Sequence, residues 1–246
     1  MLNFLGLNHL VNKNWGVFIE LFGGSQAFSL LSCHFARHQI DNGGRVLWLN
    51  SGKIRSHGEL RQLGIIPDGE YSTDFQFLIL EPTTFKEAMN IFNVLIFNES
   101  MLKKPTLVVI DQIFALQPEW YAKSNRDSKG KEMRAFSAFL QNLKTSNKKF
   151  KPRANYLVTN KSRTIPATVK DLPDSYGSRV THDVFNIRIR LRLEVGEDFS
   201  NGTVKADGHL NCTLDVRKAD CKEMQHQIFK VALPQDFKVS PPEKLN

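Results

Sequence analysis

Cysteine is scarce in this 246-residue chain: Cys33, Cys212 and Cys221 are odd in number, far apart and without a CxxC pair. That pattern excludes a disulfide scaffold, argues against a structural zinc site and makes a reducing compartment the expectation. Long apolar runs are missing as well. No stretch approaches the roughly 18–20 apolar residues of a membrane span, so no membrane association is expected. Met1 to Trp15 has neither a basic run ahead of an apolar core nor a small-residue cleavage site, so no secretory signal is expected. Repeats and low-complexity tracts are absent too. With 41% apolar and 24% charged residues, the composition is that of an ordinary globular protein and excludes wholesale disorder. The length fits one large domain, or a core with a small appendage.

Positive charge is present in excess, and it is concentrated. Lys144, Lys148, Lys149, Lys151, Arg153, Lys161, Arg163, Lys170, Arg179, Arg188, Arg190 and Arg192 are opposed within their segment only by Asp171, Asp174 and Asp183. Twelve bases against three acids give this segment a net +9; the whole chain carries +8, so the remainder sums to −1. Such a field suits a polyanion partner or a solvated basic face.

Hydrophobic periodicity predicts alternating strands and helices through the first two thirds. Strands are expected over 15–22, 45–50, 75–80, 106–111 and 155–159, and helices over 29–39, 56–63, 85–98 and 132–145. Thr83 or Thr84 would cap the third helix. Residues 117–131 and 161–178 read as loops. Val184 to Val195 alternates, with Arg188, Arg190 and Arg192 on one face, which predicts a strand with one wet side. Those arginines would be simply exposed, or would meet a partner subunit or nucleic-acid backbone. Two further strands, 210–216 and 227–233, complete a meander. The expected class is α/β: a mixed, mostly parallel central sheet flanked by helices and closing in antiparallel strands.

A strand, a glycine turn and a helix near the N-terminus is where such a protein would cradle phosphate. A working P-loop reads GxxxxGK[ST]. Here the segment is Phe22-Gly23-Gly24-Ser25-Gln26-Ala27-Phe28-Ser29, in which Ala27 replaces the second glycine, Phe28 the lysine, and only Ser29 fits. Losing the lysine removes much of the electrostatics of phosphoryl transfer. Leu107 to Asp111 has the form of a Walker B strand, an apolar run ending in a carboxylate. Trp48-Leu49-Asn50-Ser51-Gly52 offers no carboxylate to activate water. His34 and His38, one turn apart, have no local Cys, Asp or Glu to complete a metal site, and none is expected.

Taken in order, these segments resemble the RecA/RadA family of strand-exchange recombinases, and in particular its diverged accessory paralogues. Val17 to Gly23 is similar to the strand leading into that family's P-loop, and Val46 to Gly52 to the segment bearing its catalytic glutamate, which is missing here. Leu107 to Leu116 resembles its Walker B region. Tyr156 to Lys161 resembles the strand ending in Thr-Asn-Gln, with Lys161 in place of the glutamine. Arg188 to Leu193 and Cys221 to Val231 resemble the closing strands. The resemblance spans a core of residues 16–233, with an extension at 1–15 and a tail at 234–246.

The resemblance implies a RecA-like core with a degenerate nucleotide site (Gly23, Gly24, Ala27, Phe28, Ser29, Asp111), no bound cofactor and no ATPase activity. It implies a heteromeric partner of RecA-like fold, a strand-exchange recombinase to assist, and homologous recombination repair in the nucleus if the source is eukaryotic. The loop after Asn160 falls where the family holds DNA, so Lys161, Arg163, Lys170, Tyr176 and Arg179 are the candidate contacts to single-stranded DNA. A second candidate is the loop bearing Tyr121, Lys123, Arg126, Lys129 and Lys131. Phe85-Lys86-Glu87-Ala88 matches the Phe-x-x-Ala hook of recombinase protomers, but Phe85 also heads an apolar stripe with Met89 and Phe92, which marks it as core. The alternative is a RecA-like scaffold subunit in an RNA-acting ring assembly.

Overall fold

A computed structural model describes residues 16–23, 25–52, 56–62, 76–97, 104–118, 129–149, 153–161, 184–193, 209–218 and 227–234. Strand and helix alternate as β1 (Phe18–Gly23), α1 (Ser25–Asp41), β2 (Arg45–Leu49), α2 (His57–Gln62), β3 (Phe77–Leu80), α3 (Phe85–Phe97), β4 (Thr106–Ile110), α4 (Lys129–Asn147) and β5 (Asn155–Lys161). β6 (Ile187–Leu193) follows, then β7 (His209–Lys218) and β8 (Gln227–Pro234). Six strands form a parallel sheet in the order β3-β2-β4-β5-β1-β6. β7 and β8 pair antiparallel outward from β6. The protein is therefore an α/β fold on a mostly parallel sheet.

The central strands are buried on both faces, which is why they read as continuous apolar runs. One face gathers Phe18, Leu47, Leu49, Val108, Ile110, Tyr156 and Val158 with Phe85, Ala88 and Phe92 of α3 and Phe136, Phe139 and Leu140 of α4. α1 crosses the sheet on the other side, meeting β1, β2, β4, β5 and β6. Phe85 and Ala88, the Phe-x-x-Ala pair, are buried, with the Phe85 ring against Phe139. They are core, as their helical stripe indicates.

Local signals fix the helix starts. Thr84 caps α3 by accepting the Glu87 N–H on its hydroxyl, while the Glu87 carboxylate accepts the N–H groups of Thr83 and Thr84. This reciprocal box satisfies donors the first turn leaves open. The bonds from Thr83 hold the Glu87 carboxyl below its ordinary pKa. Ser56 and Glu59 form the same box before α2.

Two elements depart from expectation. α1 begins at Ser25, not Ser29, so the segment matched to a P-loop is mostly helix. β6 has no wet face at Arg188, which is buried because it meets an acid on β1.

Tyr156 sits in the core with its ring stacked on Phe18 at 4.3 Å, and burial pushes its phenol pKa well up. Its hydroxyl has no hydrogen-bond partner among the described residues. A buried hydroxyl in that state costs free energy that phenylalanine does not. Tyr156→Phe is expected to raise stability by about 1 kcal/mol, read as a higher urea midpoint at unchanged slope. A lower midpoint would show that the hydroxyl is satisfied.

Candidate nucleotide edge of the sheet

In a parallel sheet, ligands gather outside the carboxyl ends of the strands. That edge carries the end of β1 at Gly23, the residues after β2 (Asn50, Ser51, Gly52), Asp111 and Gln112 after β4, and Thr159 to Lys161 at the end of β5. Every segment matched to a nucleotide motif thus ends on one edge of the sheet.

Asp111 is fully buried, and its Oδ1 accepts the Thr159 hydroxyl at 2.9 Å. Thr159 Oγ1 in turn accepts the Gln112 N–H. The Asp111 carbonyl accepts the Ser51 hydroxyl at 2.7 Å and the Gly52 N–H at 3.1 Å. Three strand ends are thereby tied into one network. The Thr159 donor comes from the adjacent strand, because β5 lies between β4 and β1. Gln112 adopts φ 52°, a left-handed conformation unusual for a residue with a side chain. It turns the chain away from the sheet while its N–H reaches Thr159.

At β1 the geometry is tight. Gly23 has φ 135°, and a Cβ there would run into the backbone carbonyl of Leu191 on β6. Only Gly24 separates the strand from α1, so Ala27, Phe28 and Ser29 lie within the helix instead of a phosphate-wrapping loop. Ser29, whose hydroxyl fits the metal-holding position, is buried.

Two further groups escaped the reading of single segments. On the face covered by α3 and α4, Glu20 is buried at the centre of β1 and flanked by β5 and β6. Its Oε1 accepts Asn160 Nδ2 at 2.8 Å and its Oε2 accepts Arg188 Nε at 2.7 Å. The Arg188 guanidinium also lies 5.6 Å from the centre of the Phe22 ring. An acid inside the apolar run Val17 to Phe22 is the sequence signal for such a pair, because a buried carboxylate requires a counter-charge. The second group is Glu81, whose Oε1 accepts Asn50 Nδ2 at 3.1 Å. A carboxylate does therefore stand beside the β2 end. It lies at the foot of β3, four strand spacings from β1 or about 19 Å, too far to act at the β1–α1 turn.

Lys161 ends β5 on this edge. Gly24, Arg163, Lys170, Tyr176 and Arg179 lie outside the described residues, as do Tyr121, Lys123 and Arg126. Lys131 is exposed on α4. His34 is buried in α1, while His38 is half-buried and burial lowers its pKa. Among the described residues no group of three potential metal ligands occurs, and no helix is long and apolar enough to cross a membrane. No protein-family model matches the chain, and no curated protein matches it by sequence.

Proposed function

We propose that this chain is a non-hydrolysing RecA-like paralogue that works beside another RecA-like subunit. In that complex it would support a strand-exchange recombinase on single-stranded DNA during recombination repair, in the nucleus if the source is eukaryotic and in the cytoplasm otherwise. The observation that carries this reading is the order of the motif-bearing strands. The β1–α1 turn and Asp111 on β4 are separated by one strand, and that strand supplies the Thr159 hydroxyl to Asp111. A nucleotide would span such an edge, about 10 Å across two strand spacings.

Loss of turnover follows from the same edge. α1 starts one residue after Gly24 and Phe28 replaces the lysine, so the P-loop segment is mostly helix and lacks its own ammonium for phosphate. The reading of β6 to β8 as the closing strands of a RecA-like core, and of Lys161, Arg163, Lys170, Tyr176 and Arg179 as contacts to single-stranded DNA, belongs to this proposal.

Two measurements test it. The purified chain is expected to show no ATP hydrolysis, with Phe28→Lys failing to restore any, since the segment after β2 reads Asn50-Ser51-Gly52 without the family's glutamate and Glu81 lies about 19 Å from the turn. The tagged protein is expected to co-purify with a RecA-like ATPase and to prefer DNA over RNA. Steady hydrolysis by the isolated chain would overturn the first statement. Co-purification with an RNA-modifying assembly, with preference for RNA, would replace the second by the scaffold reading.

A further inference from the structure

β5 divides the basic segment that the sequence presents as one. The strand runs seven residues across the sheet, so Asn155 and Lys161 lie about 20 Å apart on opposite edges. Lys161 ends the strand at the edge that carries Asp111. The bases before Asn155 belong to the other edge, where the parallel strands begin.

That second group is dense. Residues 144–153 read Lys-Thr-Ser-Asn-Lys-Lys-Phe-Lys-Pro-Arg, five bases and no acid. Lys144 and Lys148 lie one helical turn apart at the end of α4, and Lys144, Lys148, Lys149 and Arg153 are all exposed. The turn is held in place. Asn147, buried, donates its Nδ2 to the Ala154 carbonyl at 2.9 Å. Gly16, at φ 80°, leaves room that a Cβ would fill, 2.9 Å from Asn147 Nδ2 and 3.1 Å from Arg153 Cβ. The segment before β1 therefore packs directly under this turn and fixes where Arg153 emerges.

We infer that this edge is a second nucleic-acid surface, which binds the backbone of double-stranded DNA independently of the loop after Lys161. Lysine ammonium groups on flexible stems are point charges suited to phosphate without base readout. A duplex presents one phosphate per about 1.7 Å of axis, a higher charge density than a single strand offers such a basic patch. The inference does not rest on the nucleotide edge or on a recombinase partner. A purely local role exists for Lys144 and Lys148, because cations favour a helix C-terminus. That role would alter melting but not a salt dependence of binding.

The test is fluorescence anisotropy with a labelled duplex of mixed sequence across a salt series, using the full chain. Lys144→Gln/Lys148→Gln/Lys149→Gln keeps a polar, helix-compatible side chain at each position and removes the charge. It is expected to weaken duplex binding at least about ten-fold near 0.1 M salt and to flatten the log–log slope by up to about 2.7, at 0.9 per lost phosphate contact. Lys161→Ala/Arg163→Ala/Lys170→Ala is expected to leave duplex binding within two-fold. Unchanged duplex affinity and slope in the glutamine variant overturns the inference, as does equal loss in both variants, which would mean one shared site. Binding to anionic vesicles with none to the duplex would also overturn it, assigning the patch to a lipid surface.

Discussion

Glu20→Ala is expected to destabilise the protein by about 3–5 kcal/mol, the usual consequence of leaving one charge of a buried pair uncompensated. For a chain of this length that lowers the melting temperature by roughly 6–20 °C. Arg188 and Asn160 would both lose their acceptor, in a place that water reaches poorly: the exposures of the Arg188 and Glu20 side chains are 5% and 0%. The pair itself is not the source of stability. Replacing it with apolar residues of similar volume, Glu20→Leu with Arg188→Met, is expected to recover most of the loss. Its contribution is to alignment: Glu20 lies opposite Arg188 in the β1–β6 register, and a slip of one residue would turn the guanidinium to the other face. Urea unfolding of the single and double variants gives the coupling directly. A Glu20→Ala variant that unfolds like the parent would show that Arg188 is solvated.

Gly23→Ala carries the second large effect, about 2–5 kcal/mol. It sums backbone strain at a positive φ with overpacking between paired strands. The added methyl meets the Leu191 carbonyl, part of the backbone, which no rotamer change can move. β1 and β6 must separate at their carboxyl ends, so the damage should be local. Hydrogen exchange is expected to rise over 19–23 and 187–191 before it rises in β2 or β4. An unstrained variant with native melting would show that the chain at Gly23 relaxes freely.

Much of the architecture was legible in the sequence because parallel strands buried on both faces announce themselves. Val46 to Leu49 and Leu107 to Ile110 have no other plausible place. The cap of α3 was legible to within one residue, at Thr83 or Thr84, because a cap acts within one turn. The start of α1 was not legible. Matching residues 22–29 to a loop motif imposed a loop, whereas Ser25 to Ser29 have no breaker after Gly24 and continue as helix. Arg188 was misplaced for a different reason. Alternation assigns a charged residue to water, and only a long-range partner on a strand 168 residues away reverses that. The Asp111–Thr159 bond has the same character: each residue is ordinary alone, and the sheet order joins them.

The position of β1 also sets a timetable for synthesis. Its neighbours are β5 and β6, so the Val17 N–H donates to Asn155 Oδ1, 138 residues later, and the Phe18 N–H to Asn186 Oδ1, 168 residues later. At about 5–20 residues per second, the ribosome needs on the order of ten seconds or more to supply them. Through that interval β1 has both edges bare and carries Glu20 without its arginine. Bare apolar strands are templates for wrong pairing. Holding the nascent N-terminal third apart from other chains until β6 emerges therefore becomes a requirement of this topology, and fragments ending before Ile187 are expected to accumulate as aggregates.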